Sequence, residues 1–231
     1  MFAFRDQCDL GPGAPRVEVA FTDASVDLAE GAPGYDAALA LLEAETGVRF
    51  ARMRQVHGVD VCDVDGPASG AADEPPTADA VVTGERGTGL MVRVADCVPV
   101  LLADPATGVV AAVHAGRLGT ARGVVPAAVA RMRERGATDI RAWVGPHVCG
   151  GCYEVPEAMR AEVAAAVPAA HAVTRWGTPA LDLGAGVAAQ LADAGVPATV
   201  VPGCTLEEQR FHSHRRDGER AGRMAGLVWW T

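Results

Sequence analysis

The chain contains no lysine, so all 20 of its basic residues are arginines, set against 29 acidic residues and a formal net charge of -9. It also has no polybasic tract, which argues against non-specific binding to nucleic acid or to an anionic membrane surface. Arginine presents a planar fork of donors that suits phosphates and carboxylates. The charge pattern therefore favours a small molecule over a nucleic acid as partner.

Long apolar runs are missing as well. No stretch of 18 apolar residues occurs, so we expect no membrane-spanning helix. Residues 1–13 lack the basic start and apolar continuation of a signal peptide. The six cysteines are irregularly spaced in a chain of 231 residues, which is not typical of a secreted disulfide scaffold. We expect a cytoplasmic protein with free or metal-bound thiols.

Aromatic residues make up only 5% of the chain, but 49% of it is hydrophobic, enough for a sizeable core. The pattern predicts one domain over residues 1–231. Strands and helices alternate irregularly, with a hairpin turn at residues 104–108, which indicates an α/β (α+β type) fold of mixed sheets flanked by helices. Helices are predicted over residues 33–47, 125–136, 155–167 and 183–195. Strands are predicted near residues 48–58, 59–65, 79–84, 90–95, 98–104, 108–116, 139–146 and 198–204, and a loop over residues 66–78.

Three residues with metal-binding or nucleophilic side chains sit at the ends of predicted strands: His57, Cys97 and His114. Each follows an apolar run and precedes a glycine or a proline-restricted turn, where a side chain can leave the sheet and enter a cleft. Two imidazoles and a thiolate form a zinc or copper site with a position open for water or substrate. Taken singly, each histidine also fits a structural role, and Cys97 a small core residue.

Asp96 interrupts the same apolar segment, and an unpaired buried charge is costly. We assign it to proton transfer beside Cys97 or to orienting that neighbouring ligand. Neighbouring residues on a regular strand face opposite sides, so the two share a site only if the strand breaks there. The alternative is a carboxylate that accepts hydrogen bonds from turn N–H groups.

Anion-binding candidates are all arginines. The segment at residues 116–123 reads as a glycine-rich turn ahead of a helix, and it offers N–H groups for phosphate. We assign Arg117 and Arg215 to phosphate binding and Arg216 to catalysis, whereas Arg122 fits a solvated side chain equally well. Gln55 orients His57 or contacts substrate, unless it is a surface strand residue.

The segment CGGC, with Cys149 and Cys152, has the spacing of a redox or zinc motif, but a single pair is a weak signal. His147 lies in the same loop. The cysteines at positions 8, 62 and 204 fit core thiols.

Several motifs occur in one order: RQVHG, ADAVVT, VADCVPVLLAD, VHAG, VGPHVCGGCYEV and FHSHRRDGERAGRMAGLVW. Together they resemble the YfiH-like family of purine nucleoside phosphorylases, formerly described as polyphenol oxidases with a laccase domain and in part as peptidoglycan editing factors. The resemblance runs from about residue 52 to the end of the chain. It implies a mixed α/β domain and a catalytic metal, zinc or copper, on His57, Cys97 and His114.

The activity implied by the resemblance is phosphorolysis of adenosine, inosine and methylthioadenosine, together with deamination of adenosine. This chain departs from the family pattern at Arg117-Leu118, where the family usually has Trp-Arg. It departs again at His212 and His214, where aromatic residues are usual. These differences and the short N-terminal third concern the substrate preference more than the metal ligands.

Other functions fit parts of the pattern. Cys97 with a histidine base suits a hydrolase of miscoupled peptidoglycan precursors, and a metal-binding structural module is a non-enzymatic reading. A copper-dependent polyphenol oxidase is disfavoured, because a laccase needs many histidine ligands and this chain has six histidines.

Overall fold

The computed structural model describes residues 1–9, 16–64 and 74–231. Its strands are β1 (Phe2–Asp9), β2 (Arg16–Thr22), β3 (Arg49–Ala51), β4 (Val61–Asp63), β5 (Ala80–Thr83), β6 (Thr88–Val94), β7 (Val98–Asp104), β8 (Val109–Ala115), β9 (Arg141–Val144), β10 (His171–Val173), β11 (Pro179–Leu181), β12 (Ala198–Val200) and β13 (Met224–Trp230). Its α-helices are α1 (Tyr35–Thr46), α2 (Arg117–Arg122), α3 (Val124–Glu134), α4 (Glu157–Ala166), α5 (Leu183–Asp193) and α6 (His214–Asp217).

Two large sheets organise these strands. One has the order β1-β2-β13-β6-β3, and the other has the order β12-β9-β7-β8-β5-β4. Most neighbours are antiparallel, but β3–β6, β9–β12 and β4–β5 are parallel. Strands β10 and β11 form a separate small ribbon. The arrangement confirms the predicted α/β class with mixed sheets.

The two large sheets pack face to face, and this explains why the central strands are apolar along most of their length. In β7, Leu101 and Ala103 enter the core between the sheets, whereas Val100 and Leu102 enter the core on the opposite face. Side chains alternate across a strand, so a strand covered on both sides needs an uninterrupted apolar run. The same alternation holds in β8.

Helices cover the outer faces. Leu42 of α1 packs with Met91 and Leu227 of the first sheet, and Val129 of α3 and Val187 of α5 pack on the second sheet. The layers are therefore helix, sheet, sheet and helices. Among the described residues, no helix is long and apolar enough to cross a bilayer.

Several local predictions are confirmed. Helix α1 ends at Gly47, whose φ of 74° is the left-handed C-cap conformation. Strands β7 and β8 form the predicted hairpin around residues 104–108, and Pro126 lies in the first turn of α3.

Other predictions of local structure were wrong. The segment at 116–123 is not a turn ahead of a helix, because residues Arg117–Arg122 are themselves the short helix α2. The strand predicted over residues 48–58 stops at Ala51, and β1 and β2 were not predicted. Most of the loop expected at residues 66–78 lies outside the described ranges.

The β7–β8 hairpin is secured by the buried carboxylate of Asp104. Its Oδ1 accepts hydrogen bonds from the N–H groups of Ala106 and Thr107, and its Oδ2 accepts from those of Thr138 and Asp139. Burial raises the pKa of Asp104, but these four donors outweigh burial, and the pKa lies below its usual value.

We expect Asp104→Asn to lower the free energy of unfolding by about 1–3 kcal/mol, because an amide cannot accept at both positions. A group with a depressed folded-state pKa stabilises the protein above its unfolded-state pKa of about 3.9 and loses that contribution as the pH falls through the folded-state value. Urea denaturation should therefore show a large difference from wild type at pH 7 that shrinks below about pH 4. Asp139→Asn, at an exposed position, serves as control, and an equal effect in both variants would contradict this account.

Candidate active site

The structure brings His57, Cys97 and His114 together, as the sequence predicted. The Cys97 Sγ lies 3.7 Å from the His57 Nε2, and the two imidazole centroids are 4.8 Å apart. One donor atom from each of the three side chains lies within 4.8 Å of the others. His114 is buried, Cys97 is half-buried and His57 is exposed, so the cluster opens to solvent on the His57 side.

Strand pairing accounts for two members of the cluster. Val98 of β7 pairs with Ala115 of β8, and Pro99 pairs with His114. Cys97 immediately precedes β7 and therefore lies beside His114 at the end of the hairpin. The chain between β6 and β7 is irregular, and Asp96 has a φ of 87°. The break that the Asp-Cys pair required is thus present.

Asp79 is a residue of this site that the sequence reasoning did not single out. Its side chain is fully buried, and it accepts hydrogen bonds from the backbone N–H groups of Val56 (3.2 Å), His57 (2.9 Å) and Gly58 (2.6 Å). Its Oδ1 also lies 2.7 Å from the Nδ1 of His114. One carboxylate therefore positions both histidines. An acidic residue directly before the apolar strand β5 was the available signal.

This hydrogen bonding determines which atom of His114 faces the cluster. Burial raises the pKa of Asp79, but hydrogen bonds from His114 and the backbone lower it below the usual value. Because the ionised carboxylate only accepts, His114 donates through Nδ1 and directs Nε2 towards Cys97 and His57. Metal-binding histidines commonly donate their other ring N–H to a carboxylate in this way, which fixes the orientation of the ring.

The loop that carries His57 is conformationally constrained. His57 has a φ of 60°, a left-handed conformation that is uncommon outside glycine. Gly116 makes room for it, since a Cβ there would lie 2.5 Å from the His57 Cδ2 and 3.4 Å from the Cys97 Sγ. A side chain at position 116 would push His57 out of the cluster.

Cys97 and His114 perturb one another. Burial raises the pKa of the Cys97 thiol, but the charge of His114 and hydrogen bonds from both histidines lower it to about 6. Burial lowers the pKa of His114, whereas the Cys97 thiolate and Asp79 raise it to about 9. At neutral pH, the pair without a bound metal is a thiolate beside an imidazolium. The thiolate is the form that binds metals and attacks electrophiles.

The cluster lies in a pocket of about 460 Å³, within the range of small-molecule sites. Three arginines that the sequence reasoning missed line it: Arg54, Arg93 and Arg223. Arg93 forms an ion pair with Glu30 at 2.8 Å. Arg54 and Arg223 belong to quoted motifs, and Arg93 directly precedes the motif that carries Cys97, so proximity in sequence was the only available signal.

Gln55 also lines this pocket. Its Nε2 donates to the Arg93 carbonyl at 2.7 Å, and its Oε1 accepts from the Arg93 N–H at 2.9 Å. The amide thus pairs with the edge of β6 in the manner of a backbone group.

Asp96 accepts hydrogen bonds from neighbouring segments, close to the alternative role of a carboxylate that holds a turn. Its Oδ1 accepts from the Thr205 hydroxyl at 2.6 Å, and its Oδ2 accepts from the Arg215 N–H, in the first turns of α6, at 2.6 Å. It is buried and does not line the pocket. Asp96 therefore ties the segment beside Cys97 to the loop after β12 and to helix α6.

Arg117 and Arg215 lie around Tyr153. The Arg215 guanidinium stacks 5.0 Å from the Tyr153 ring centroid. Burial and the charge of Cys97 raise the pKa of Tyr153, while Arg215 and Arg117 act in the opposite direction. Both predicted phosphate ligands are therefore near Cys97, although neither lines the pocket described above.

Arg216 and His147 both make contacts within the surrounding loops. All three guanidinium nitrogens of Arg216 are engaged, with the Asp217 carboxylate and the carbonyls of Thr205, Leu206, Glu208 and Phe211. These contacts hold a loop, and the catalytic role of Arg216 stays a prediction. His147 bonds to the Gly145 carbonyl and packs against Gly184 of α5. Arg122 is exposed, which agrees with the interpretation of Arg122 as a solvated side chain.

We expect Asp79→Ala to lower the free energy of unfolding by about 3 kcal/mol, because it leaves three backbone N–H groups and the buried imidazole of His114 without their acceptor. Chemical denaturation measures the loss, and the backbone amide shifts of residues 56–58 should change most in NMR spectra. The control is Asp60→Ala, an exposed acid nearby, with an expected change within about 0.5 kcal/mol. A stable Asp79→Ala protein with unchanged shifts would show that the carboxylate does not organise this site.

Similar proteins carry the same fold and related sequences. The chain is 59% identical over 185 residues to a purine nucleoside phosphorylase of Streptomyces coelicolor, covering 78% of this chain and 75% of that protein. It is 49% identical over 186 residues to a purine nucleoside phosphorylase of Mycobacterium tuberculosis, covering 79% and 73%.

Solved structures of similar proteins have the same fold. YlmD from Geobacillus stearothermophilus superposes with a TM-score of 0.80 at 28% identity, over 96% of this chain and 95% of that one. The Neisseria meningitidis protein NMB0706 gives a TM-score of 0.79 at 27% identity, over 97% and 98%. The family model described as multi-copper polyphenol oxidoreductase laccase matches residues 35–231. The chain belongs to this family, the YfiH-like proteins.

Proposed function

We propose that this protein is a metal-dependent purine nucleoside phosphorylase that also deaminates adenosine. The observation that carries the proposal is the meeting of His57, Cys97 and His114 in an arginine-lined pocket. Its support from similarity is that relatives up to 59% identical are named purine nucleoside phosphorylases. The proposed substrates are a purine nucleoside, such as adenosine, inosine or methylthioadenosine, and phosphate.

The donor set fits a metal ion. Two imidazoles and a low-pKa thiolate are ligands for zinc, with copper as the alternative, and three protein ligands leave a position open. Asp79 supplies the outer carboxylate that such histidines use. When bound, the ion would act as a Lewis acid and lower the pKa of a bound water.

The side chains of the pocket suit a reaction between an anion and a nucleoside. In phosphorolysis, a phosphate oxygen bonds to the ribose C1′ as the bond from C1′ to the purine nitrogen breaks, and the purine takes up a proton. The arginines that line the pocket, Arg54, Arg93 and Arg223, provide donors for phosphate. Glu30, in the same wall, is an acceptor for sugar hydroxyls.

The other proposed residues act around this pocket. Arg117 and Arg215 extend the positive region on the Tyr153 side of Cys97 and remain proposed phosphate ligands. We assign Asp96 a positioning role, since both of its oxygens are occupied by the loops it holds. Gln55 shapes the pocket wall through Arg93.

A second candidate function is hydrolysis with Cys97 as nucleophile, on an amide such as that of a miscoupled peptidoglycan precursor. The specific observation in its favour is the pairing of a thiol of pKa about 6 with a histidine of pKa about 9. In that reaction no phosphate is consumed.

We expect purified wild-type protein to release adenine from adenosine only when phosphate is present, with ribose 1-phosphate as the other product. Cys97→Ser should lose the metal at this site and fall below about one hundredth of wild-type turnover. Chromatography of the products and elemental analysis of the protein measure both effects. Cys62→Ser, outside the cluster, is the matched control and should keep both properties.

Unchanged adenosine in the presence of phosphate, together with a trapped acyl-cysteine, would favour the hydrolase instead. Full metal content and full turnover in Cys97→Ser would contradict the site itself.

Arg54 is exposed and points its guanidinium at Thr77 at the pocket rim. We expect Arg54→Gln to raise the KM for phosphate about tenfold, with a smaller effect on the KM for nucleoside, because a charge-assisted contact to the anion is lost. Steady-state kinetics with each substrate varied in turn measure the split. Arg122→Gln on the surface of α2 should change neither value, and an unchanged phosphate KM in Arg54→Gln would remove this residue from the anion site.

A further inference from the structure

A second cluster of metal-binding side chains lies apart from the first. Cys149 and Cys152 come from the loop after β9, and Cys204 and Glu207 come from the loop after β12. One donor atom from each of the four lies within 4.8 Å of the others. The sequence showed only the weak CGGC pair, and it assigned Cys204 to the core. The fold adds a third thiol and a carboxylate to that pair.

The two loops present their donors in the same way. The N–H of Cys152 donates to the Cys149 carbonyl at 2.9 Å, and the N–H of Glu207 donates to the Cys204 carbonyl at 3.1 Å. Both turns therefore place two ligands three residues apart on one side of a tight turn. That is the spacing and local geometry of zinc-binding cysteine turns.

The surroundings suit bound thiolates. The N–H of Cys149 points at the Cys204 Sγ, 3.5 Å away. Arg175 forms an ion pair with Glu207 through Nη1, and its Nη2 lies 3.8 Å from the Cys149 Sγ. Three thiolates and one carboxylate around a divalent ion leave an excess of negative charge, which this arginine offsets. Cys152 and Cys204 are buried with Val148 in a small apolar cluster.

Without an ion the grouping is unfavourable for charged sulfur. Burial and then the neighbouring Cys149 and Cys204 groups raise the pKa of Cys152 to about 12. Metal binding replaces those thiol protons with one shared cation.

We propose that Cys149, Cys152, Cys204 and Glu207 form a second metal site, a closed four-coordinate structural site for zinc. Two sulfurs bound to one tetrahedral zinc lie about 3.8 Å apart, from a Zn–S distance of about 2.3 Å, so small side-chain rotations complete the site. Four protein ligands leave no open position, in contrast to the three of the first cluster.

The site would fasten the two loops that hold the segment beside Cys97. The N–H of Val148 donates to the Asp96 carbonyl at 3.0 Å, and the Thr205 hydroxyl donates to its carboxylate at 2.6 Å. One residue from each zinc-bearing loop thus contacts Asp96. The structural ion would stabilise the position of the catalytic thiol without touching substrate.

The test measures metal content, so it needs no enzymatic activity. The ion lost in Cys97→Ser reports the first cluster, on which the proposed function rests, and the ion lost in Cys204→Ser reports the second. We expect wild-type protein purified without chelator to hold about two zinc ions per chain, and Cys204→Ser and Cys97→Ser to hold about one each. In Cys97→Ser, X-ray absorption at the zinc edge should show an ion surrounded mainly by sulfur. Cys62→Ser should keep both ions.

Glu207→Gln provides a variant that keeps every cysteine, should Cys204→Ser fail to fold. We expect it to release one zinc to a chromogenic chelator at least about tenfold faster than wild type, while Glu162→Gln on the exposed face of α4 behaves as wild type. Full zinc content in Cys204→Ser, or an unchanged release rate in Glu207→Gln, would overturn the proposal. So would a count of four rather than six thiols in denatured, chelator-treated protein, since it would reveal a disulfide among the six cysteines.

Discussion

The site depends on one buried carboxylate. Asp79 has no contact with solvent, and it accepts from three consecutive backbone N–H groups and from His114. A buried charge is tolerated only where it is fully hydrogen-bonded, and here the donors are the parts of the chain that must be positioned. His57 therefore holds a left-handed backbone conformation that few residues adopt, and His114 presents one defined nitrogen. The hydrogen bonds that stabilise the buried carboxylate of Asp79 also position the histidines of the cluster.

The second constraint is the packing of two sheets with helices on both outer faces. Strands β7 and β8 are buried on both sides, so their sequences are apolar except near one end of each strand, at Asp104 and at His114. Such strands can carry functional side chains only where the sheet ends, because polar groups along the strands would lack partners. Cys97 lies immediately before β7, and His114 lies next to the last residue of β8. The Asp-Cys interruption of the apolar segment marks the sheet edge at which the pocket opens.

Much of the site was readable from local pattern. The apolar runs and the glycines after them predicted strand ends, and His57, Cys97 and His114 lie at such ends. The arginines were harder, because a guanidinium on a long side chain can reach a pocket or a loop equally well. Arg216 donates to loop carbonyls and to the Asp217 carboxylate, whereas Arg54, which local pattern did not single out, lines the pocket. Sequence motifs identify which segments approach the site, but not which side chains enter it.

The sequence by itself determined the class of fold and most of the helices and strands, because these depend on periodicity and turn residues within short windows. Strand ends also made His57, Cys97 and His114 candidate ligands, and the resemblance to the YfiH-like family selected them as a set. Only the tertiary structure decided that Asp79 joins the histidines and that Cys204 and Glu207 join the CGGC pair. These contacts link segments more than 20 and more than 50 residues apart, respectively. Their formation depends on strand order and on the packing of loops across the sheet edge, and no local pattern of residues encodes either one.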